Sequence, residues 1–156
     1  GPYSDRKSVS IVLGAENITK GITQHEAADG KTKPITEKGK TGRCTVPTEH
    51  GGRYIYFDIA DGFFWAENHP LTLHITYLDN NRGTITVRYD STDQNALLNG
   101  AFKAAEPIRK TASGSWKTAT LTLPDAACTG RANGFDFRIE DHDGTLLVHK
   151  VVVTEK

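Results

Sequence analysis

The sequence predicts an all-β fold in which two antiparallel β-sheets pack into a sandwich. Apolar and polar residues alternate with period two in most regular segments, as they must where one sheet face is buried and the other is solvated. Turn-forming clusters separate these segments roughly every 8 to 20 residues, which is typical of antiparallel sandwiches. Amphipathic helical signal is scarce. We therefore expect about seven or eight strands.

The first half of the chain contains the clearest strands. Residues 8–13 alternate regularly, with Val9, Ile11 and Leu13 as the apolar set. Tyr54–Ile59 is more continuously apolar, which favours a central strand covered on both faces.

Two further alternating segments, 71–77 and 85–89, enclose the turn cluster 79–83. The sequence predicts that these two segments form a β-hairpin.

The second half continues the alternation. A strand is predicted over 119–123, where Pro124 stops it, and another over 135–139. Asp143-Gly144 is interpreted as a hairpin turn that leads into the last strand, 146–153.

Two stretches lack a regular pattern. Residues 95–105 are expected to form a short helix or an irregular crossover. The polar stretch 24–42 is expected to form one or two loops around a short strand.

Composition limits both the organisation and the partners. We expect residues 1–2 to be a tag remnant and residues 3–156 of this 156-residue chain to form a single β-sandwich module. Lys plus Arg and Asp plus Glu both number 19, so no net positive field attracts nucleic acid or an anionic membrane. No apolar run approaches the roughly 20 residues of a membrane span. Cys44 and Cys128 allow either one disulfide or two buried thiols.

Signatures of catalysis are absent from the sequence. It contains no Gly-x-Ser-x-Gly motif, no phosphate-binding glycine loop and no dinucleotide fingerprint. Carboxylates near predicted strand ends could in principle pair for glycoside hydrolysis, but such groups are more often solvated turn residues. They are Asp58, Asp61, Glu67, Asp141 and Asp143. We therefore expect a protein that is not an enzyme.

The aromatic run Phe63-Phe64-Trp65 is the feature most suggestive of a ligand. Sugar rings have apolar C–H faces that stack on aromatic planes, while neighbouring polar side chains bind the hydroxyls. The two phenylalanines are expected to close the end of the sandwich and Trp65 to contact ligand. Trp116, out of phase with its strand, is interpreted as packing.

The order of the residues resembles a known class of domain. The strings 53–59 (RYIYFDI), 73–79 (LHITYLD), 87–91 (VRYDS), 114–126 and 133–139 resemble accessory domains of bacterial polysaccharide-degrading enzymes. Such domains are similar to galactose-binding-domain-like jelly rolls, the architecture of many carbohydrate-binding modules. The resemblance covers about residues 50–153, and it implies a jelly-roll sandwich with a glycan-binding role.

The resemblance also suggests a structural calcium ion. Oxygen-rich loops in such modules often hold calcium, and Glu16 with Asn17 is reminiscent of the calcium-binding start of related modules. Asp141 and Asp143 provide a second set of oxygens, although a turn also explains them. These four residues are the expected metal ligands.

The function predicted is a non-catalytic carbohydrate-binding module that targets an attached carbohydrate-active enzyme to a polysaccharide. The expected partners are a polysaccharide or oligosaccharide and the catalytic domain of a parent enzyme, with the module itself monomeric and extracellular, cell-surface or periplasmic. The alternative is a structural or docking sandwich domain without its own ligand. The candidate ligand-binding residues are Trp65, Asn68, His69, Arg82 and His142.

Overall fold

The computed structural model describes residues 2–67 and 69–155. Within these ranges the chain forms two antiparallel sheets and a short 3₁₀ segment at Leu97–Gly100. The thirteen strands are β1 Ser8–Val12, β2 Ile18–Lys20, β3 Ile22–His25, β4 Thr32–Glu37, β5 Lys40–Thr45, β6 Tyr54–Ile59, β7 Leu71–Leu78, β8 Thr84–Tyr89, β9 Lys103–Ala104, β10 Ile108–Arg109, β11 Trp116–Leu123, β12 Phe137–Asp141 and β13 Leu147–Glu155.

The larger sheet, sheet A, has the strand order β11-β7-β13-β1-β2. Strand β5 pairs with the beginning of β13, ahead of the stretch of β13 that pairs with β1, and β4 pairs with β5. The smaller sheet, sheet B, has the order β10-β8-β12-β6-β3, with β9 also paired to β8. The predicted all-β antiparallel sandwich is confirmed.

The core lies between the two sheets and is filled by the alternating apolar positions. Strand β6 contributes Ile55, Phe57 and Ile59, all buried, and the Phe57 ring stacks on Phe137 of β12 with 5.0 Å between ring centroids. Period two explains this arrangement, because every second side chain of a strand faces the opposite sheet.

The predicted hairpin across residues 79–83 is wrong. Strand β7 pairs with β11 and β13 in sheet A, whereas β8 pairs with β9, β10 and β12 in sheet B. The segment between them crosses from one sheet to the other. Asp79 is buried at the crossing and accepts hydrogen bonds from the backbone N–H groups of Thr111 and Ser113, at 2.7 and 3.0 Å. These bonds tie the segment after β7 to the segment before β11 instead of to β8.

The turn at Asp143-Gly144 is also a crossover and not a hairpin turn. Strand β12 belongs to sheet B and β13 to sheet A. Asp143 accepts a hydrogen bond from the backbone of Thr84 at 3.2 Å, so the two crossovers contact each other at the same end of the sandwich.

Residues 24–42 are more regular than expected. Strands β4 and β5 form a hairpin closed by Lys38 and Gly39, both with positive φ, between the paired residues Glu37 and Lys40. A two-residue hairpin turn of this type needs positive φ at both central positions, which Gly39 tolerates well. The polar composition of the two strands concealed them in the sequence.

The irregular stretch 95–105 contains two residues in the left-handed region. Leu98 and Asn99 have φ values of 51° and 56° inside the 3₁₀ segment. Non-glycine residues in this conformation are uncommon and are retained where the surroundings hold them. The segment then returns along β8 as strand β9.

The burial and contacts of individual side chains test several predictions made from the sequence. Phe63 and Phe64 are buried in the core, as predicted, and Trp116 packs on His149 while its indole N–H donates to the carbonyl of Glu37 at 2.8 Å. Cys44 and Cys128 are buried and free. Among the described residues, no helical segment has the length and hydropathy of a membrane span.

Candidate functional site

The outer face of sheet B carries a group of polar and aromatic side chains, some of which are open to solvent. Alternation sends Tyr54 and Tyr56 of β6 to this face, together with Arg138 and Glu140 of β12 and Arg88 of β8. Antiparallel register places Arg138 between Tyr56 and Arg88, and Glu140 beside Tyr54. Three strands distant in sequence therefore align these side chains in two adjacent rows.

These rows form the floor of a groove, which we call the Tyr54 cleft. It encloses about 350 Å³ and is open to solvent along one side. A volume of this size lies at the lower end of the roughly 300 to 1,000 Å³ typical of small-ligand sites. Its lining residues are Tyr54, Arg88, Leu97, Leu98, Phe102, Asn133, Arg138, Glu140 and His142.

Arg138 occupies the centre of the cleft. Its guanidinium carbon lies 4.0 Å from the Tyr54 ring centroid and 4.4 Å from that of Phe102, so the group is stacked between two aromatic rings. Its Nη1 donates to the Tyr56 hydroxyl at 3.1 Å. Its buried Nε has no hydrogen-bond partner among the described residues. The guanidinium group is therefore held between the two rings, with Nη2 making no hydrogen bond among the described residues.

Glu140 connects the charged groups of the cleft. Its carboxylate is almost fully buried and accepts a hydrogen bond from Nε of Arg88. Its second oxygen lies 2.9 Å from Nε2 of His142 and 3.6 Å from Nη2 of Arg138. One carboxylate thus orients two guanidinium groups and an imidazole, an arrangement that gives the cleft a fixed set of polar groups.

The cleft ends at Tyr56, which other segments cover completely. The Tyr56 hydroxyl accepts from Asn133 at 2.9 Å and lies 3.2 Å from a carboxylate oxygen of Asp29. Burial raises the pKa of Tyr56 despite the hydrogen bonds from Arg138 and Asn133. Tyr56 is therefore a neutral structural support beneath the open part of the cleft.

One wall of the cleft is apolar. Leu97 and Leu98 are 61% and 63% exposed, among the most exposed large apolar residues described, and both line the cleft beside Phe102. The Phe102 carbonyl accepts a hydrogen bond from Nη1 of Arg88 at 3.2 Å, which fixes this segment to strand β8. Exposed leucines next to fixed polar groups are typical of a ligand surface.

Two larger grooves offer fewer binding groups. A groove of about 430 Å³ beside Arg53 is lined otherwise by threonines, glycines and a proline. Another, of about 560 Å³, lies between the β1–β2 turn and the tip of the β4–β5 hairpin, and its wall includes the exposed Ile18. Neither combines aromatic rings with several convergent charges, which makes the Tyr54 cleft the stronger candidate.

The residues singled out in the sequence lie in three separate places. His142 belongs to the Tyr54 cleft, and its ring contacts Tyr54 edge-on at 5.8 Å between centroids. Trp65 is 50% exposed and lies with His69 in the segment between β6 and β7. Arg82 is exposed in the crossover between β7 and β8. Asn68 lies outside the described residues.

The expected calcium ligands do not form one oxygen-rich group. Asp141 is buried and paired with the ammonium of Lys110, which already neutralises it. The amide oxygen of Asn17 accepts from the backbone of Gly14 at 3.1 Å, and Glu16 is exposed. Oxygens of Asp141 and Asn17 are thus engaged in other contacts, and calcium binding by Glu16, Asn17, Asp141 and Asp143 stays a prediction.

A different group brings ligand-type atoms together. Among the described residues, Glu67, His69 and Glu155 place a carboxylate oxygen, an imidazole nitrogen and another carboxylate oxygen within 4.8 Å of one another. The hydrogen bond with Glu67 raises the pKa of His69. All three side chains are partly exposed, and the ion pair explains their proximity.

Asp58 and Asp136 are neighbouring carboxylates near one of the predicted strand ends. Asp58 borders a groove of about 250 Å³ together with Asp61. Asp136 is buried and accepts hydrogen bonds from the backbone of Ile59 at 2.8 Å and of Gly130 at 3.2 Å. Burial, followed by the hydrogen bond with Asp58, raises its pKa. Because Asp136 faces the backbone and not the groove, its role is structural.

This raised pKa predicts an unusual pH dependence of stability. The folded protein holds a proton on Asp136 that the unfolded chain releases above about pH 4, so the free energy of unfolding falls as pH rises from there through the raised pKa. Asp136→Asn replaces the acid with a group that does not titrate, so the free energy of unfolding should fall less steeply with pH. Urea unfolding at a series of pH values measures this. Asp5→Asn, at an exposed position, should keep the wild-type slope; an equal slope for both variants would contradict the assignment.

Sequence reasoning missed most residues of the cleft. Arg88, Arg138 and Glu140 stand at polar positions of the predicted alternation, and Tyr54 begins a strand predicted to be covered on both faces, so none of the four was expected to bind a ligand. One signal in the sequence could have indicated the cleft. The outward positions of β6 and β12 are occupied by tyrosines, an arginine and a glutamate, whereas a purely solvated face usually carries small polar residues. Sequence alone does not show that β6, β8 and β12 are neighbours.

Comparisons with known proteins show the fold. No protein-family model and no curated protein matches the chain. Among solved structures, the xylan-binding CBM22-1 domain of a Paenibacillus barcinonensis xylanase is 15% identical, with 94% of this chain and 92% of that chain covered and a TM-score of 0.53. The CBM22-1–GH10 modules of Clostridium thermocellum xylanase 10B, complexed with xylohexaose, are 12% identical, with 87% and 26% covered and a TM-score of 0.53.

A third structure is less similar. The carbohydrate-binding module CBM6cm-2 of Cellvibrio mixtus lichenase 5A, in complex with cellotriose, is 12% identical, with 94% and 96% covered and a TM-score of 0.43. At these identities the likeness concerns fold, and it is the two CBM22 structures that carry it. The chain has the two-sheet β-sandwich architecture found in carbohydrate-binding modules.

Proposed function

We propose that this chain is a non-catalytic carbohydrate-binding module that holds a polysaccharide or oligosaccharide in the Tyr54 cleft. The observation that carries the proposal is the cleft itself, where Arg88, Arg138, Glu140 and His142 converge beside the exposed Leu97–Leu98 wall. A sugar needs this combination because its hydroxyls require fixed donors and acceptors while its C–H faces require apolar contact.

The fixed geometry of the polar groups supports binding more than catalysis. The Glu140 carboxylate is engaged by Arg88 and His142, and Asp136 is buried against backbone. Glycoside hydrolysis needs two acids facing one substrate bond, about 5 to 10 Å apart. A single engaged carboxylate in the cleft fits a binding role.

Targeting of an attached enzyme is the role we propose for this binding. Each sugar hydroxyl exchanges hydrogen bonds with water for hydrogen bonds with protein, so the net gain per contact is small. A tethered module nevertheless raises the effective concentration of a catalytic domain on its polysaccharide. We expect the module to act as a monomer outside the cytoplasm.

The test is a glycan-array screen of the purified chain, followed by isothermal titration with the oligosaccharides retained. We expect saturable binding with a stoichiometry of one. Binding to no plant, algal or host glycan would overturn the proposal and favour a docking domain without a ligand. Turnover of a bound glycan, detected as new reducing ends, would overturn the non-catalytic assignment.

A variant at Trp65 distinguishes ligand binding in the Tyr54 cleft from ligand binding at Trp65. Trp65 lies outside the groups that line the cleft, so Trp65→Ala should change the affinity for the selected oligosaccharide by less than about twofold, within the range of an energetically neutral contact. Titration of the variant measures this. A loss of tenfold or more, about 1.4 kcal/mol, would instead place the ligand at Trp65.

A further inference from the structure

The Tyr54 cleft is positively charged, although the chain as a whole is not. Lys plus Arg equals Asp plus Glu over the sequence. Among the described residues that line the cleft, Arg88 and Arg138 carry two guanidinium groups against the single carboxylate of Glu140. At one end of the cleft, a third guanidinium, that of Arg53, donates to the backbone carbonyl of His142.

The hydrogen bonds made inside the cleft leave donors free. Arg138 uses Nη1 for Tyr56, and its Nε is buried out of reach of a ligand, so the donor left to it is Nη2, which has only the 3.6 Å contact with Glu140. Arg88 uses Nε and Nη1 for Glu140 and Phe102. Among the described residues, Nη2 of each arginine therefore makes no hydrogen bond and can donate to an additional acceptor.

The aromatic rings of the cleft are not free to serve as a stacking platform. The guanidinium of Arg138 lies over the faces of both Tyr54 and Phe102, and His142 contacts the edge of Tyr54. A flat neutral polysaccharide that binds by ring stacking would find those faces covered. The apolar surface left open is the aliphatic wall of Leu97 and Leu98.

We infer that the cleft selects glycans that carry uronic acid, with the sugar carboxylate bound by the guanidinium groups of Arg88 and Arg138 and the C–H face of the ring against Leu97 and Leu98. This inference rests on the proposed function and names its substrate class. A planar carboxylate matches the fork of an arginine better than a hydroxyl does, and charge-assisted hydrogen bonds are about twice as strong as neutral ones. Partial enclosure by the cleft limits screening of the charges.

The test compares each acidic oligosaccharide with its own carboxyl-reduced form on the unmodified protein. Suitable pairs are oligogalacturonate, oligoguluronate and a glucuronic-acid-substituted xylo-oligosaccharide. Isothermal titration should show, for at least one pair, that the acidic form binds about tenfold more tightly or better, and that added salt narrows the difference. Arg88→Gln and Arg138→Lys should each also reduce the affinity difference between the acidic and the carboxyl-reduced form. Circular dichroism shows whether the variants fold.

The outcomes separate this inference from the proposed function. Binding of neutral oligosaccharides as tightly as their acidic counterparts would overturn the uronate assignment and leave carbohydrate binding intact. Binding of a sulfated galactan oligosaccharide in preference to every uronate would also overturn it. Absence of binding to any glycan would overturn both. If a variant does not fold, titration of the wild-type protein with each acidic oligosaccharide and its carboxyl-reduced form still tests the inference.

Discussion

Replacing Lys110 with methionine is expected to lower the free energy of unfolding by about 3 to 5 kcal/mol, the usual cost of leaving one partner of a buried ion pair uncompensated. The side chains of Lys110 and Asp141 are both fully buried, and the ammonium also donates to the amide oxygen of Asn80 at 2.9 Å. Without Lys110, the Asp141 carboxylate keeps only the hydrogen bond from the backbone of Asp143. Urea unfolding at neutral pH measures the change.

Two further variants show whether charge is the cause. Lys117→Met removes a lysine that also pairs with a buried aspartate, Asp79, but Lys117 itself is 42% exposed, so the cost should stay below about 1 kcal/mol. Lys110→Met combined with Asp141→Leu removes both buried charges and should recover at least half of the single-variant loss. An equal loss in the double and single variants would show that packing, and not the unpaired charge, matters.

Tyr54→Ala is expected to weaken binding of the oligosaccharide selected by the glycan screen at least tenfold, or about 1.4 kcal/mol. The Tyr54 ring supports the guanidinium of Arg138 at 4.0 Å and contacts the ring of His142. Without the ring, the Arg138 and His142 side chains lose a contact that orients them. Their conformational entropy would then be lost on binding, which lowers the affinity. Isothermal titration gives the affinity.

Tyr54→Phe is the matched control for this experiment. It keeps the ring and its contacts with Arg138 and His142, so the affinity should stay within about threefold of the wild-type value if the ring acts by packing. Unchanged binding by a folded Tyr54→Ala variant would remove the cleft from consideration as the glycan site.

The alternation of apolar and polar residues was sufficient to predict the fold class and the inward face of most strands. Val9 and Ile11 of β1 are buried, as are Leu71, Leu73 and Ile75 of β7. These outcomes depend on local information, because in a strand the identity of residue i and residue i+2 decides which face is apolar. The same information predicted an outward position for Arg138 but assigned it no role.

Strand partners were where prediction failed. Alternation is identical for a strand paired with its sequence neighbour and for one that crosses to the other sheet, so 71–77 and 85–89 were interpreted as a hairpin. The crossing depends on the burial of Asp79 against Thr111 and Ser113, more than 30 residues away. Contacts at that separation leave no periodic signal in the sequence.

The sequence by itself determined that the chain is an antiparallel all-β protein without a catalytic motif, since side-chain periodicity and motif spacing are properties of neighbouring residues. Tertiary structure alone decided that β6, β8 and β12 lie side by side, that Arg88, Arg138 and Glu140 meet Tyr54 in one cleft, and that Lys110 neutralises Asp141. The physical reason is that charge compensation and a ligand surface depend on distances between residues far apart in the chain, and only sheet pairing sets those distances.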